Sequence, residues 1–121
     1  GAGAEWDLAG RWKADLQCAR GGPQAGPHRW SGTVEVLGQD GPRFWGTFDA
    51  GAGPKAFSAV FDYRGKAFNG AWENGVFRGA LSAANRMEWI WLSPGGRPSA
   101  CRGVLKKEPP NKARIPKAGS R

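Results

Sequence analysis

Large apolar residues alternate with polar or small ones along most of the chain, and turns rich in glycine and proline interrupt this alternation at short intervals. A period of two is typical of β-strands with one buried face, because successive side chains point to opposite sides of a sheet. The pattern predicts eight strands, near 7–18, 29–37, 43–50, 55–63, 66–73, 76–82, 86–92 and 100–107.

A short motif recurs in six of the predicted strands: a large residue, a glycine two positions later, and an apolar residue two positions further on. The copies are LAGRW at 8–12, WSGTV at 30–34, FWGTF at 44–48, FNGAW at 68–72, FRGAL at 77–81 and CRGVL at 101–105. The three marked positions share one face, which we predict to be the inner one, because the intervening residues are mostly polar. Two roles stay open for the glycines: they relieve crowding between inward rings, or they leave a cavity at mid-height.

One dipeptide, Asn74-Gly75, gives the strongest local turn signal. Asn-Gly tolerates the positive φ angles of a type I′ turn, whose twist suits a two-residue hairpin. This turn predicts that Trp72 pairs with Phe77, both facing inward.

The two cysteines, Cys18 and Cys101, test the topology. In an eight-strand meander the first strand ends at the pole where the last strand begins, and closure makes these strands neighbours. Each cysteine also lies an even number of positions from the inward-facing residues of its strand, so both are predicted to point inward. The sequence therefore predicts an all-β domain over 1–107, an eight-stranded antiparallel up-and-down barrel closed by one disulfide. Such a bond indicates an oxidising compartment, and we expect a periplasmic or secreted protein.

The basic charge is concentrated near the end of the sequence. The chain has a net charge of +8, and six of its 18 basic residues lie within the last segment, KKEPPNKARIPKAGSR. Because this segment has three prolines and almost no apolar residues, we expect 108–121 to be a disordered basic tail. The rest of the chain lacks a stripe of basic residues alternating with exposed aromatics, so a nucleic-acid partner is not favoured.

Catalytic chemistry has little support in this sequence. His28 is the only histidine, and neither a Gly-x-Ser-x-Gly elbow nor a His-Glu-x-x-His pair occurs. The cysteine spacing does not suit a zinc site. We expect no enzymatic activity, no metal and no cofactor, and a monomer. No apolar stretch approaches the roughly 20 residues of a membrane-spanning helix.

The aromatic residues mark the candidate site. At the disulfide end of the predicted barrel, the inward-facing strand positions hold six aromatic rings, which we predict to bind a ligand: Trp30, Phe48, Phe57, Trp72, Phe77 and Trp91. Three polar side chains near the loops at this end are predicted to join them: His28, Arg29 and Arg97. A barrel of eight strands either fills itself with side chains or holds one small ligand. Both a packed core and a mouth for a flat apolar ligand or a sugar ring stay open.

One tryptophan, Trp45, falls on the outer face in this register, beside Gly46. An outward tryptophan can mark a contact surface for a protein partner.

The first predicted strand, Leu8-Ala9-Gly10-Arg11-Trp12, resembles the Gly-x-Trp opening of calycin-type barrels, which include lipocalins, avidins and small bacterial metalloprotease inhibitors. The resemblance implies an eight-stranded meander with Trp12 packed at the base of the barrel. A basic residue of the last strand, Lys106 or Arg102, is then expected over that ring. The resemblance implies a fold and no ligand.

These observations favour a non-catalytic extracytoplasmic binding module, which uses its mouth or its outer surface. Two alternatives belong to other classes. One is a protein inhibitor of a secreted hydrolase, and the other is an accessory domain that contacts a polyanion through the basic tail.

Overall fold

The chain forms a closed antiparallel barrel in the computed structural model, which describes residues 6–21 and 28–109 and only the backbone of His28. Its strands are β1 (Gly10–Arg20), β2 (His28–Asp40), β3 (Arg43–Asp49), β4 (Lys55–Phe61), β5 (Ala67–Trp72), β6 (Gly75–Ala83), β7 (Arg86–Ser93) and β8 (Ser99–Lys107). Each strand pairs with its neighbours in sequence, and β8 returns to β1. The predicted eight-stranded meander is confirmed.

Closure depends on the ladder between β1 and β8, which runs from the pair Trp12 and Lys107 to the pair Arg20 and Ser99. Cys18 lies directly opposite Cys101 in this ladder, and the two form a disulfide. The predicted bond is therefore present, and it joins the two strands that are farthest apart in sequence.

The end of β8 is also tied to β1. The backbone N–H of Glu108 donates to the carbonyl of Arg11 at 2.8 Å, so the pairing continues one residue beyond Lys107. The remainder of the predicted tail, from residue 110 onward, lies outside the described residues.

The inner face of the barrel is the predicted one. Along β1, the buried residues Trp12, Ala14 and Leu16 alternate with exposed Lys13 and Asp15. Among the described residues, every buried side chain is apolar, so the charged groups all lie outside or at the ends. The fully buried large side chains are Leu8, Trp12, Val34, Phe44, Phe68, Met87, Trp89 and Leu105.

The predicted hairpin register at Asn74-Gly75 is wrong by two residues. Trp72 pairs with Gly75, and Gly70 pairs with Phe77, so the turn consists of residues 73 and 74. Gly75 does not have a positive φ. It is the first residue of β6, where a Cβ would overlap the carbonyl of Leu92 on β7. The glycine therefore serves close strand approach and not turn geometry, and a two-residue shift leaves every side chain on its predicted face.

Several of the mid-strand glycines relieve crowding between inward rings. A Cβ on Gly79 would lie 2.6 Å from Cζ of Phe68, and one on Gly70 would overlap the ring of Phe77. Each ring lies across the glycine of a neighbouring strand. Because rings cover these glycines on the inner face, the described rings fill the middle of the barrel there.

A short segment before β1 closes the base of the barrel. Leu8 is buried there, and its carbonyl accepts a hydrogen bond from Nε1 of Trp12 at 2.9 Å. Gln39 joins this segment to β2: its Oε1 accepts from the Leu8 N–H at 3.1 Å, and its Nε2 donates to the Trp6 carbonyl at 2.8 Å. Apolar packing thus seals the base, and the backbone groups of Trp6 and Leu8 named here have hydrogen-bond partners.

The basic residue over Trp12 is Lys107, and the expectation of Lys106 or Arg102 was wrong. Nζ of Lys107 lies 5.9 Å from the centroid of the Trp12 ring and donates to the Asp7 carbonyl at 2.7 Å. Lys107 is the register partner of Trp12. It shares the inward parity of Leu105, whereas Lys106 and Arg102 are exposed on the outer face.

The disulfide is expected to contribute strongly to stability. On the chain-entropy model, a loop that spans 83 residues stabilises the folded state by about 4–5 kcal/mol. Replacing both cysteines with serine should lower the free energy of urea unfolding by an amount of that order. Alkylation of the native protein without reductant, followed by mass measurement, should label no thiol. Two labelled thiols would contradict the bond.

Two buried tryptophans allow a matched test of the base. Nε1 of Trp12 has an acceptor, whereas Nε1 of Trp89 has no hydrogen-bond partner among the described residues. Both W12F and W89F lose ring volume, but only W12F leaves the Leu8 carbonyl without its donor. We expect W12F to cost about 1–3 kcal/mol more in unfolding free energy than W89F. Equal losses in chemical denaturation would show that the hydrogen bond does not stabilise the base.

The glycine packing predicts a position-dependent effect of a single methyl group. A Cβ on Gly103 would lie 2.6 Å from Cδ2 of Leu16 and 2.9 Å from Cζ3 of Trp91. G103A should therefore destabilise the protein by about 1–3 kcal/mol. The matched control is G95A, because a Cβ on Gly95 would have no neighbouring heavy atom within 4 Å and this glycine has no positive φ. A loss of stability in G95A as large as in G103A would contradict the packing account.

Candidate functional site

Within residues 6–21 and 28–109, the barrel is open at the disulfide pole, where a cavity of about 330 Å³ lies between the strand ends. The base is sealed by Leu8 and Trp12, so this mouth is the entrance to the barrel interior. Its walls carry aromatic and small apolar side chains, and its rim carries polar ones. The residues that line it are Leu16, Cys18, Arg20, Trp30, Phe48, Ala50, Ala52, Gly53, Lys55, Trp72, Asn74, Trp91, Ser93, Arg97, Ser99 and Cys101.

Stacked rings form the floor of the mouth. Phe48 and Trp91 stack with centroids 5.1 Å apart and planes 27° from parallel. Trp91 contacts Trp89 below it at 5.1 Å, and Trp89 stacks on Phe77 at 4.4 Å. The floor is therefore a stack of aromatic rings that continues into the core.

Two further tryptophans form the walls of the mouth. Trp30 on β2 and Trp72 on β5 are partly buried and pack against the core cluster. Both retain exposed surface that faces the cavity. The mouth thus presents flat apolar faces from several directions.

Three cationic side chains stand at the rim. Arg20 ends β1 with the inward parity of Cys18, and Lys55 begins β4 with the inward parity of Phe57. Arg97 belongs to the loop between β7 and β8. Because β1 and β8 lie across the barrel from β4, Arg20 and Arg97 face the mouth from one side and Lys55 from the other.

The position of Arg97 depends on Gly21. A Cβ on Gly21 would lie 2.9 Å from Nε and 3.1 Å from Cγ of Arg97, so the arginine packs directly on this glycine. Gly21 has a φ of 74°, in the left-handed region that favours glycine. Its N–H donates to the carbonyl of Pro98 at 3.0 Å. This contact joins the end of β1 to the loop that carries Arg97.

The loop between β3 and β4 is ordered by its own carboxylate. Oδ1 of Asp49 accepts hydrogen bonds from the N–H groups of Gly51 at 2.8 Å and Gly53 at 3.2 Å. This arrangement fixes the loop whose Ala50, Ala52 and Gly53 form part of the rim. It also directs the Asp49 carboxylate to backbone donors.

The structure brings some of the predicted binding residues together and places others elsewhere. Trp30, Phe48, Trp72, Trp91 and Arg97 line the mouth. Three other predicted residues with described side chains, Phe57, Phe77 and Arg29, do not line the mouth.

Two of those other residues, Phe57 and Phe77, are buried beneath the mouth. They contact each other edge-to-face at 5.6 Å and support the floor. Arg29 pairs with exposed Gln17 in the ladder between β1 and β2 and is exposed on the outer face. The side chain of His28 lies outside the described part of the structure.

Sequence reasoning missed two rim residues, Arg20 and Lys55. The alternation of strand faces could have identified both. Arg20 lies two positions after inward-facing Cys18, and Lys55 lies two positions before inward-facing Phe57, each at the disulfide end of its strand. A charged side chain at a strand end can occupy an inward position because the barrel is open to solvent there.

The outer face carries the remaining candidate, Trp45. Its side chain is 42% exposed, and its ring lies across Gly38, where β2 has a bulge between Val36 and Gly38. Val60 lies close by on the same outer surface and is also exposed. Trp45 therefore has one face packed on its own chain and another available for contact.

Two further findings bear on possible chemistry. Within residues 6–21 and 28–109, no group of three or more His, Cys, Asp or Glu side chains is arranged to hold a metal ion. The same residues include no helix long and apolar enough to cross a membrane.

The chain is similar in structure to natural and designed barrels. No family model matches the sequence, and no curated protein matches it. A redesigned β-barrel is similar with a TM-score of 0.62 and 11% identity, over 89% of this chain and 96% of that one. A designed fluorescence-activating β-barrel has a TM-score of 0.59 and 14% identity, over 89% of this chain and 99% of that one.

Natural proteins are also similar to it. A protein of unknown function from Nostoc punctiforme, of the DUF3598 family, has a TM-score of 0.63 and 12% identity, over 84% of this chain and 47% of that one. An S-type phycobiliprotein lyase from Guillardia theta has a TM-score of 0.52 and 7% identity, over 84% of this chain and 89% of that one. At these identities, the likeness establishes a closed eight-stranded barrel.

Proposed function

We propose that this protein is a non-catalytic binding module that holds a small, flat, largely apolar molecule in the mouth at the disulfide pole. The observation that carries the proposal is the open cavity of about 330 Å³ lined by Trp30, Trp72 and Trp91. Small-molecule sites are concave, mostly apolar, and about 300–1,000 Å³ in volume. This cavity lies at the small end of that range, so it suits a compact ligand.

The exposure of the wall residues supports this proposal over a plain packed core. If the rings met and filled the barrel end, the wall tryptophans would be buried like Trp12 and Trp89, which have almost no exposed surface. Trp30 and Trp72 instead keep part of their surface exposed to the cavity. Leaving large apolar faces in water costs about 25 cal/mol per Å², and a ligand that covers them recovers that free energy.

Rigidity of the site is a second support. Trp91 stacks on Phe48 and contacts Trp89, and the disulfide fixes the wall beside it. A preformed surface loses little conformational freedom when it binds, which favours affinity.

The structural neighbours support the proposal by analogy. One similar structure is a designed fluorescence-activating barrel, and another is the phycobiliprotein lyase from Guillardia theta, which is similar to this chain over 84% of its length. An eight-stranded barrel can hold one small ligand in its interior. We further propose an extracytoplasmic location, because a disulfide that closes the barrel persists in oxidising compartments.

A second candidate function is contact with a protein partner through the outer face. The observation that favours it is the exposed apolar surface formed by Trp45 and Val60. This surface lies on the outside of the barrel wall, so a partner there does not compete with a ligand in the mouth.

The mouth proposal predicts distinct effects of three tryptophan substitutions on binding of 2-naphthalenemethanol, a neutral bicyclic probe. Isothermal titration calorimetry should show about tenfold weaker binding in W30A and in W72A, because each loses a wall of the cavity. W45A is the matched control and should bind the probe as the parent does. Circular dichroism would confirm that each variant is folded. Equal affinity in all three variants would reject the mouth as the site of the probe.

A further inference from the structure

The charges around the mouth are of one sign. The described residues that line the cavity include Arg20, Lys55 and Arg97, and they include no aspartate or glutamate. The body of the barrel carries acidic residues elsewhere, so this asymmetry is local. Apolar walls have a low dielectric constant and focus the field of nearby charges into the cavity.

The acidic groups closest to the rim have other partners. Oε2 of Glu73 lies 3.4 Å from Nζ of Lys55, so this carboxylate offsets part of that lysine's charge. Asp49 accepts hydrogen bonds from its own loop. Arg20 and Arg97 have no ion pair with a carboxylate among the described residues. Among the described residues, the positive charge without a carboxylate partner therefore lies on the side of the mouth formed by β1 and the loop before β8.

The two arginines belong to neighbouring segments at the end of the ladder between β1 and β8. Arg20 pairs with Ser99, which lies two residues beyond Arg97, and Arg97 packs on Gly21. Guanidinium groups bind carboxylates, sulfonates and phosphates with two parallel hydrogen bonds. Two such groups beside an aromatic floor form a recognition site with a charged edge and an apolar face.

We propose that the ligand of the mouth is a compact planar aromatic acid, whose ring lies against Trp91 and Phe48 and whose anionic group binds Arg20 and Arg97. The inference rests on the proposed function, because it assigns the chemical class of a ligand in the same cavity. The ring covers the apolar floor, and the acid neutralises two arginines that have no carboxylate partner in the described chain.

The polar groups of the mouth favour an acid over a sugar. A sugar ring needs acceptors for its hydroxyl groups, and carboxylates usually supply them. Among the described lining residues, the neutral polar side chains are Asn74, Ser93 and Ser99. The hydroxyl of Ser93 already donates to the Asn74 carbonyl at 2.9 Å. The same absence of lining carboxylates disfavours a cationic ligand.

Three probes with one ring system test the assignment: naphthalene-2-sulfonate, neutral 2-naphthalenemethanol and cationic 2-naphthylmethylammonium. Calorimetric titration of the intact protein at low salt should give a dissociation constant about tenfold lower for the sulfonate than for the alcohol, with the cation weakest. The advantage of the sulfonate should shrink in 0.5 M NaCl, where the Debye length is only about 4 Å.

Charge-neutralising variants locate the anionic group. R20Q and R97Q should each weaken sulfonate binding by about threefold to tenfold and leave alcohol binding unchanged. R78Q is the matched control, because it removes the same unit of charge from the outer face. Arg78 is exposed there and pairs with Asn69 and Ile90. R29Q should behave like this control. R97K keeps the charge but not the paired donors, so its affinity for the sulfonate should lie between those of the parent and R97Q.

The outcomes separate the two levels of the proposal. If the sulfonate and the alcohol bind equally, and R20Q and R97Q change neither, the aromatic-acid assignment is overturned while the mouth remains a binding site. If R78Q weakens sulfonate binding as much as R97Q does, the effect comes from overall charge and the assignment is also overturned. If none of the three probes binds, the proposed function itself fails.

Discussion

The narrow interior of an eight-stranded barrel is the constraint on which this structure depends. Thirteen phenylalanine and tryptophan residues occur in 121 positions, and most of the described ones point inward. Such rings cannot all fit if each inward position opposite them also carries a side chain. The chain meets this constraint by placing glycine where a ring from the next strand must lie, as with Gly79 beneath Phe68 and Gly103 beneath Trp91. The rings can then interlock across strands at the density that protein interiors require.

The same constraint explains why one pole is sealed and the other is open. Toward the base, Leu8 comes from the segment before β1 and completes the buried cluster that includes Trp12, Phe44 and Phe68. At the disulfide pole no such segment fills the end among the described residues, and the loop between β3 and β4 contributes only small residues such as Ala50 and Ala52 to the rim. The aromatic column therefore stops one layer below solvent, with Trp91 as its last fully covered ring. The site is the place where the core is left incomplete.

Most of the fold could be predicted from the sequence because face alternation is robust. A strand shifted by two residues keeps every side chain on the same face, so the wrong register at Gly75 did not disturb the predicted core or the disulfide. What the pattern did not resolve is the role of a particular glycine. Asn74-Gly75 is a strong turn signal locally, but the backbone of β7 passes too close to position 75 for a side chain. That information is tertiary and is absent from the dipeptide.

The sequence predicted the aromatic residues of the candidate site but not two of its three cationic rim residues. The rings followed from parity and pole, whereas Arg20 and Lys55 were not assigned because a charged residue normally indicates the outer face. Arg29 was assigned to the mouth from its position near the loop, yet its parity places it outside. The pattern did not resolve depth either: Phe57 and Trp91 both point inward and are both buried, and only packing decides that Trp91 borders the mouth and Phe57 does not.

The meander topology has a consequence for how the chain folds. Seven of its eight strand pairings join neighbours in sequence, and these local hairpins can form early. The eighth, between β1 and β8, joins residues as far apart as Trp12 and Lys107. Because non-local contacts form slowly, ring closure is expected to limit the folding rate. Until it occurs, both terminal strands have unpaired backbone edges, which are the surfaces through which partly folded β-proteins associate with each other.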